Sequence, residues 1–151
     1  MAKTIRNYEL KIKRVQVADG GAPYGESIHE SGDVAKIARS LIGDSAQEVF
    51  CILHLDVKNK VLGYTEAFRG GISTCGVDPR VIFRAAIAVG ATSIVLAHSH
   101  PSGDLTPSTE DISLTNRLIA GGEILGVAIL DHVIVTDRDA SSMRARGLCF
   151  V

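Results

Sequence analysis

The apolar positions of this chain follow two periods. Over residues 8–17, Tyr8, Leu10 and Ile12 alternate with Glu9, Lys11 and Lys13, the pattern of a half-exposed strand. A glycine-rich loop follows over residues 19–25, and His29 stands in polar sequence that reads as surface. Over residues 31–43 the spacing changes. Val34, Ile37, Ala38, Leu41 and Ile42 share one helical face, with Ser31 as the expected cap and Gly43 as the stop. Residues 48–56 are almost continuously apolar and predict a buried strand, and Lys58-Asn59-Lys60 turns it into a second strand over 61–68. His54, inside the first of these, reads as a core or edge histidine. Residues 69–74 continue as a loop or short strand.

Asp78-Pro79 opens a helix, with Pro at its first position and residues 81–90 apolar enough to be largely buried. A strand, a helix and a strand come next: residues 94–97, 112–125 and 127–135. Ile112, Thr115, Leu118 and Ile119 mark the buried stripe of that helix. Residues 141–148 form a short terminal segment that an edge strand would fit. This order predicts an α/β fold, a mixed β-sheet flanked by helices. At 151 residues the expectation is one domain, with residues 1–45 packing on a core of 46–151.

Composition narrows the class. A hydrophobic fraction of 46% supplies a core, yet no run approaches the length of a membrane span. The first residues lack the apolar block of a signal peptide. Cys51, Cys75 and Cys149 are odd in number and widely spaced, which fits reduced thiols and a cytoplasmic setting. Lys3, Arg6, Lys11, Lys13 and Arg14 make the N-terminal end basic, in the manner of a solvated strand face. The net charge of −1 gives no electrostatic case for nucleic acid, because phosphate binding needs concentrated positive charge.

The chemistry concentrates where the strand of residues 93–97 ends. His98 and His100 follow at i and i+2, so in extended chain both imidazoles point to one side. Pro101, Ser102 and Gly103 turn the chain, and Thr106 or Ser108 caps the next helix. Asp111 then lies in the first turns and leans toward the helix N-terminus, back toward the histidines. Two imidazoles and a carboxylate form a set that zinc accepts while one position stays open for water. Taken singly, Ser108-x-x-Asp111 is also a capping box, and Asp104, Glu110 and Asp111 are also a solvated acidic face.

His98-x-His100, seven residues, then Ser108-x-x-Asp111 resembles the JAMM motif of the JAB/MPN metalloprotease superfamily. His98-Ser99-His100-Pro101-Ser102-Gly103-Asp104, Leu130-Asp131-His132-Val133-Ile134-Val135 and Arg144-Ala145-Arg146-Gly147-Leu148 resemble its RadC-like bacterial branch. The resemblance spans residues 48–148. It implies a cytidine-deaminase-like core and a zinc-dependent hydrolase acting on a peptide or isopeptide bond of a peptide or protein substrate. The family often carries Asn where Ser99 stands. RadC proteins commonly carry a helix-hairpin-helix region as well, and the glycine hairpins of such a region are not seen here.

The resemblance also implies a glutamate base on a strand upstream of the histidines. Glu48 matches best, as a carboxylate at the start of an apolar strand, where burial is expensive unless the group is exposed or used. Glu66, late on the next strand, is the rival. Zinc bound by His98, His100 and Asp111 would acidify a water. Glu48 would take its proton, and the Ser108 hydroxyl would help hold the oxyanion. Asp131 or His132 would support the metal from behind, or make only a structural hydrogen bond. A nucleoside deaminase would need H-x-E and P-C-x-x-C. His100 stands where that Glu would be, and no C-x-x-C exists. The alternative function is a metal-binding, non-peptidase module of the RadC family acting in DNA repair or recombination.

Overall fold

The structure, a computed structural model, describes residues 24–70 and 77–150. The expected strand of residues 8–17, the basic N-terminal side chains, most of the glycine-rich loop, most of residues 69–74 and Cys75 lie outside the described residues. The elements run α1 (Ser31–Ile42), β1 (Val49–Leu55), β2 (Val61–Arg69), α2 (Pro79–Ala88), β3 (Ser93–Ser99), α3 (Thr109–Leu125), β4 (Ala128–Val135) and β5 (Ala140–Ser142). The chain is α/β, as the periodicity predicts.

One mixed sheet has the order β2-β1-β3-β4-β5. β1 pairs antiparallel with both β2 and β3, whereas β3 and β4 are parallel and joined across the sheet by α3. Every residue of β1 and of β3 is buried, which is why both strands read as unbroken apolar runs rather than alternating ones. Side chains of β1 alternate between two cores. Val49, Cys51, Leu53 and Leu55 pack with Val34, Ile37 and Ala38 of α1. Phe50 and Ile52 pack with Ile82 and Phe83 of α2 and Leu114 and Leu118 of α3. Among the described residues no helix is long and apolar enough to cross a membrane.

Several local expectations shift. The N-cap of α1 is Glu30, not Ser31. The Asp33 carboxylate takes the backbone N–H groups of His29 at 2.9 Å and Glu30 at 3.3 Å, so the helix starts one residue earlier in register. Gly43 ends α1, but with a right-handed φ of −66°. Its need for glycine is space, since a Cβ there would lie 2.6 Å from the Arg39 carbonyl oxygen. Helix α2 buries only Ile82, Phe83 and Ala86, and Ile87 is 55% exposed, so it is a half-buried helix rather than a largely buried one. In α3 the buried stripe is Asp111, Leu114, Thr115, Leu118 and Gly122, with Ile112 and Ile119 at its margins. Beyond β5 the chain makes turns rather than extending the edge strand to residue 148.

Candidate metal centre

β3 delivers the first histidine from the middle of the sheet. His98 is fully buried, stacked 6.0 Å from the Phe50 ring, and His100 lies just past the strand end with a partly exposed ring. Their Nε2 atoms approach to 2.8 Å. Ser108 caps α3 and accepts the Asp111 N–H at 3.0 Å. That cap fixes the first turn, and the turn aims the Asp111 carboxylate at the histidines. Asp111 Oδ1 lies 3.4 Å from His98 Nε2, and Oδ2 lies 3.9 Å from His100 Nε2. The three donor atoms all fall within 4.8 Å of one another. β3 and α3 flank the turn-rich loop, so one strand–loop–helix passage supplies all three residues.

The electrostatics match a cation. Burial pushes the Asp111 carboxyl up, but His98 and the two hydrogen bonds from Ser108 outweigh it and hold the group well below the usual carboxylate range. The Ser108 N–H reaches Asp111 Oδ2 at 2.7 Å and the Ser108 hydroxyl reaches it at 2.8 Å. His100 Nδ1 lies 2.6 Å from the Asp104 carbonyl oxygen. A carbonyl only accepts, so Nδ1 carries the proton and Nε2 turns a lone pair inward. An anionic carboxylate and an imidazole lone pair converging on one point suit a small divalent cation bound by nitrogen and oxygen. The residues present therefore fit a metal.

A cleft of ≈ 590 Å³ opens over this centre, lined by Glu48, His100, Ser102, Asp104, Ser108, Glu110 and Asp111 among others. The structure thus brings Glu48 and Ser108 to the same cleft as two of the donors. Glu48 stands two residues before Phe50, whose strand partner is His98. Glu66 is not in the cleft wall. Both of its oxygens are held by Arg69, at 2.7 Å from Nε and 2.6 Å from Nη2.

Asp131 and His132 separate into different roles. Asp131 is a structural anchor: its carboxylate accepts the Ser142 hydroxyl at 2.6 Å and the N–H groups of His132 and Arg144 at 2.7 and 3.1 Å. His132, fully buried, places Nε2 2.8 Å from His98 Nδ1. Burial drives the His132 pKa well below its ordinary value, with repulsion from His98 adding to the effect. His54 lies on β1, buried against Thr65 Oγ1 at 2.9 Å, and is not part of the centre. Cys51, with its thiol pushed up to about 12 by burial, is no nucleophile at neutral pH.

Two contributors escaped the sequence reading. Thr115, expected only as an apolar-face residue, reaches His132 Nδ1 and the Asp111 carbonyl, each at 2.6 Å. Its signal was a hydroxyl four residues after the candidate ligand, one helical turn on. Ser99, between the histidines, faces the opposite way. Its Oγ accepts the Val49 N–H at 3.0 Å and donates to the Gln47 carbonyl at 3.2 Å, gripping the peptides on either side of Glu48.

A His-His-Asp cluster, with His98 and Asp111 buried and His100 partly exposed, at the end of a central strand in a mixed α/β sheet defines a JAB-type domain with a candidate metal site. Residues 28–148 match the RadC-like JAB domain family, and the chain belongs to that family. It is 41% identical over 121 residues to a UPF0758 protein of Clostridium perfringens, an alignment covering 80% of this chain and 53% of that one. A UPF0758 protein of Carboxydothermus hydrogenoformans is 43% identical over 116 residues, covering 77% and 51%. That of Staphylococcus haemolyticus is 36% identical over 151 residues, covering 96% and 66%. The chain spans about half the length of most of the curated relatives it matches.

Proposed function

We propose that this chain is a zinc-dependent hydrolase of the JAMM type that cleaves a peptide or isopeptide bond. The observation that carries this reading is the sharing of one cleft. Two of the donors, His100 and Asp111, line it together with Glu48 and Ser108. His98, His100 and Asp111 would hold the ion, and zinc held by two imidazoles and a carboxylate acts as a Lewis acid toward water and a substrate carbonyl. Free Cys51 and Cys149 thiols suit a reducing, cytoplasmic setting.

The chain's own groups then divide the work. The Glu48 carboxylate accepts a proton from the attacking water and returns it to the leaving nitrogen. Ser108 first orients Asp111, its hydroxyl donating to Oδ2. The same hydroxyl would help hold the oxygen of the substrate carbonyl. Asp104 fixes the His100 ring through its backbone carbonyl, and Ser99 keeps Glu48 beside the cleft.

Glu48→Gln separates binding from turnover. The variant should bind zinc with unchanged stoichiometry and lose about 10²- to 10⁴-fold in turnover of a peptide or isopeptide library. Wild-type turnover should vanish with chelator and return with zinc. A fully active Glu48→Gln overturns the base assignment. Zinc binding without turnover of any such substrate would favour a non-peptidase module of the RadC family instead.

A further inference from the structure

We propose that Arg146 is a positioning residue for the metal centre: it straps the loop that follows His100 to the turn that follows β5. The proposal rests on the reading of His98, His100 and Asp111 as a metal site. It accounts for two sequence motifs, around Asp131 and around Arg146, that do not line the cleft. Residues 100–108 join β3 to α3 and are mostly exposed. Short local bonds shape this loop. The Gly103 N–H donates to the His100 carbonyl at 3.0 Å, and the Thr106 N–H donates to Asp104 Oδ1 at 2.8 Å. The Asp104 carbonyl oxygen lies 2.6 Å from His100 Nδ1, so the place of the loop sets the place of the ring.

Local bonds fix the loop's shape but not its position on the molecule. Among the described residues, one hydrogen bond reaches residues 101–107 from a distant part of the chain. Arg146 Nη1 donates to the Leu105 carbonyl at 3.2 Å. Leu105 adjoins Asp104, the residue that touches His100. The other end of this strap is clamped. Asp131, buried in β4, accepts the Ser142 hydroxyl and the Arg144 N–H. Met143 donates its N–H to the His132 carbonyl at 2.9 Å. The chain then turns back on itself. The Arg146 N–H meets the Ser142 carbonyl at 3.2 Å, and the Gly147 N–H meets the Arg144 carbonyl at 2.9 Å. Gly147 has a φ of +69°, a left-handed conformation that favours glycine.

Arg146 therefore starts from backbone fixed to the sheet, and its long side chain spans to a loop otherwise anchored at its two ends. The side chain is exposed, so its removal opens the Leu105 carbonyl to water and disturbs no core. Charge and geometry predict opposite signs for that removal. A positive side chain near the site repels a bound cation, so charge alone predicts tighter zinc binding without Arg146. Positioning predicts weaker binding, because Asp104 and the His100 ring lose their fixed place.

The test uses the whole chain and zinc alone, with affinity read by competition against a chromophoric chelator. Amide hydrogen exchange of the metal-free protein reports the loop directly. Arg146→Ala should speed exchange at the Gly103 and Thr106 amides by about 3- to 10-fold, the contribution of one hydrogen bond, and weaken zinc binding by a similar factor. Arg146→Lys, which keeps a donor, should recover most of both. Arg138→Ala removes an equal charge from a side chain that is 90% exposed and paired with Asp137, and should change neither. Asp131→Asn should weaken zinc binding through the same strap, so adding Arg146→Ala to it should bring no further loss. Additive losses overturn the part given to Asp131. Thermal melting checks that the variants fold, and should Asp131→Asn not fold, the Arg146 variants decide alone. A folded Arg146→Ala with unchanged loop exchange overturns the proposal. So does one that binds zinc as tightly as wild type or more tightly. Wild-type protein that takes up no zinc overturns the metal reading instead, and exchange that still responds to Arg146→Ala leaves the strap standing.

Discussion

Two buried histidines on neighbouring strands, His54 of β1 and His98 of β3, meet different fates. Both are enclosed by the same sheet, at 1% and 0% exposure. His54 has one hydrogen bond, to Thr65 Oγ1, and its Nδ1 is the one buried side-chain polar atom without a partner among the described residues. Burial alone acts on it and lowers its pKa to about 4. His98 has both ring nitrogens engaged, one by His132 and one at the donor cluster. The same sheet buries both rings. Only the neighbours decide whether a ring nitrogen is aimed at anything.

The sharpest way to break this comparison is to remove each ring. His98→Ala should reduce zinc affinity by more than about 100-fold, beyond the range typical of residues behind the ligands. His54→Leu should leave zinc affinity at the wild-type level in the same chelator competition. Equal losses would mean that the donor cluster is not the binding site.

Proton linkage sharpens it next. The folded pKa of His54 lies near 4 while the unfolded value is the ordinary 6.5. Above pH 6.5 neither state binds the proton, and His54 has no effect on stability. Between pH 6.5 and 4 the unfolded chain binds it preferentially, so stability falls as pH falls, by up to roughly 3 kcal/mol at 1.36 kcal/mol per unit. Denaturant titrations of the wild type against His54→Leu should show that part of the pH slope disappear in the variant. A smaller effect is expected at Thr65→Val. Losing the hydroxyl leaves both His54 nitrogens unpaired and should cost about 1–2 kcal/mol in urea unfolding, with zinc binding unchanged.

The elements and the candidate donor cluster were legible in the sequence because both depend on local spacing. His98 and His100 share a side by strand alternation, and Asp111 leans back by helix geometry. Each follows from residue separations alone. Glu48 stood out as a carboxylate on an apolar run. What stayed hidden depends on which element crosses which. Nothing in the sequence near His132 says that β4 lies parallel to β3 with His132 beside Leu96, or that Thr115 of α3 reaches it. The expected burial of α2 failed for a related reason. Its sequence is apolar around most of its circumference, but only the face carrying Ile82, Phe83 and Ala86 meets the sheet.

Ser99 adds a last point about the histidine pair. Strand alternation turns its hydroxyl away from both imidazoles and onto the backbone flanking Glu48, where it both accepts and donates. The triplet is therefore a two-sided clasp, with cation donors on one side and a latch for the neighbouring strand on the other. Deleting one position would swing an imidazole onto the latch side and loosen the strand that carries Glu48. An asparagine in the middle would have the same paired capacity, an N–H₂ to give and an oxygen to receive. Interchange there is expected to be gentle, whereas an aliphatic replacement would uncouple Glu48 from the donors while leaving every ligand in place.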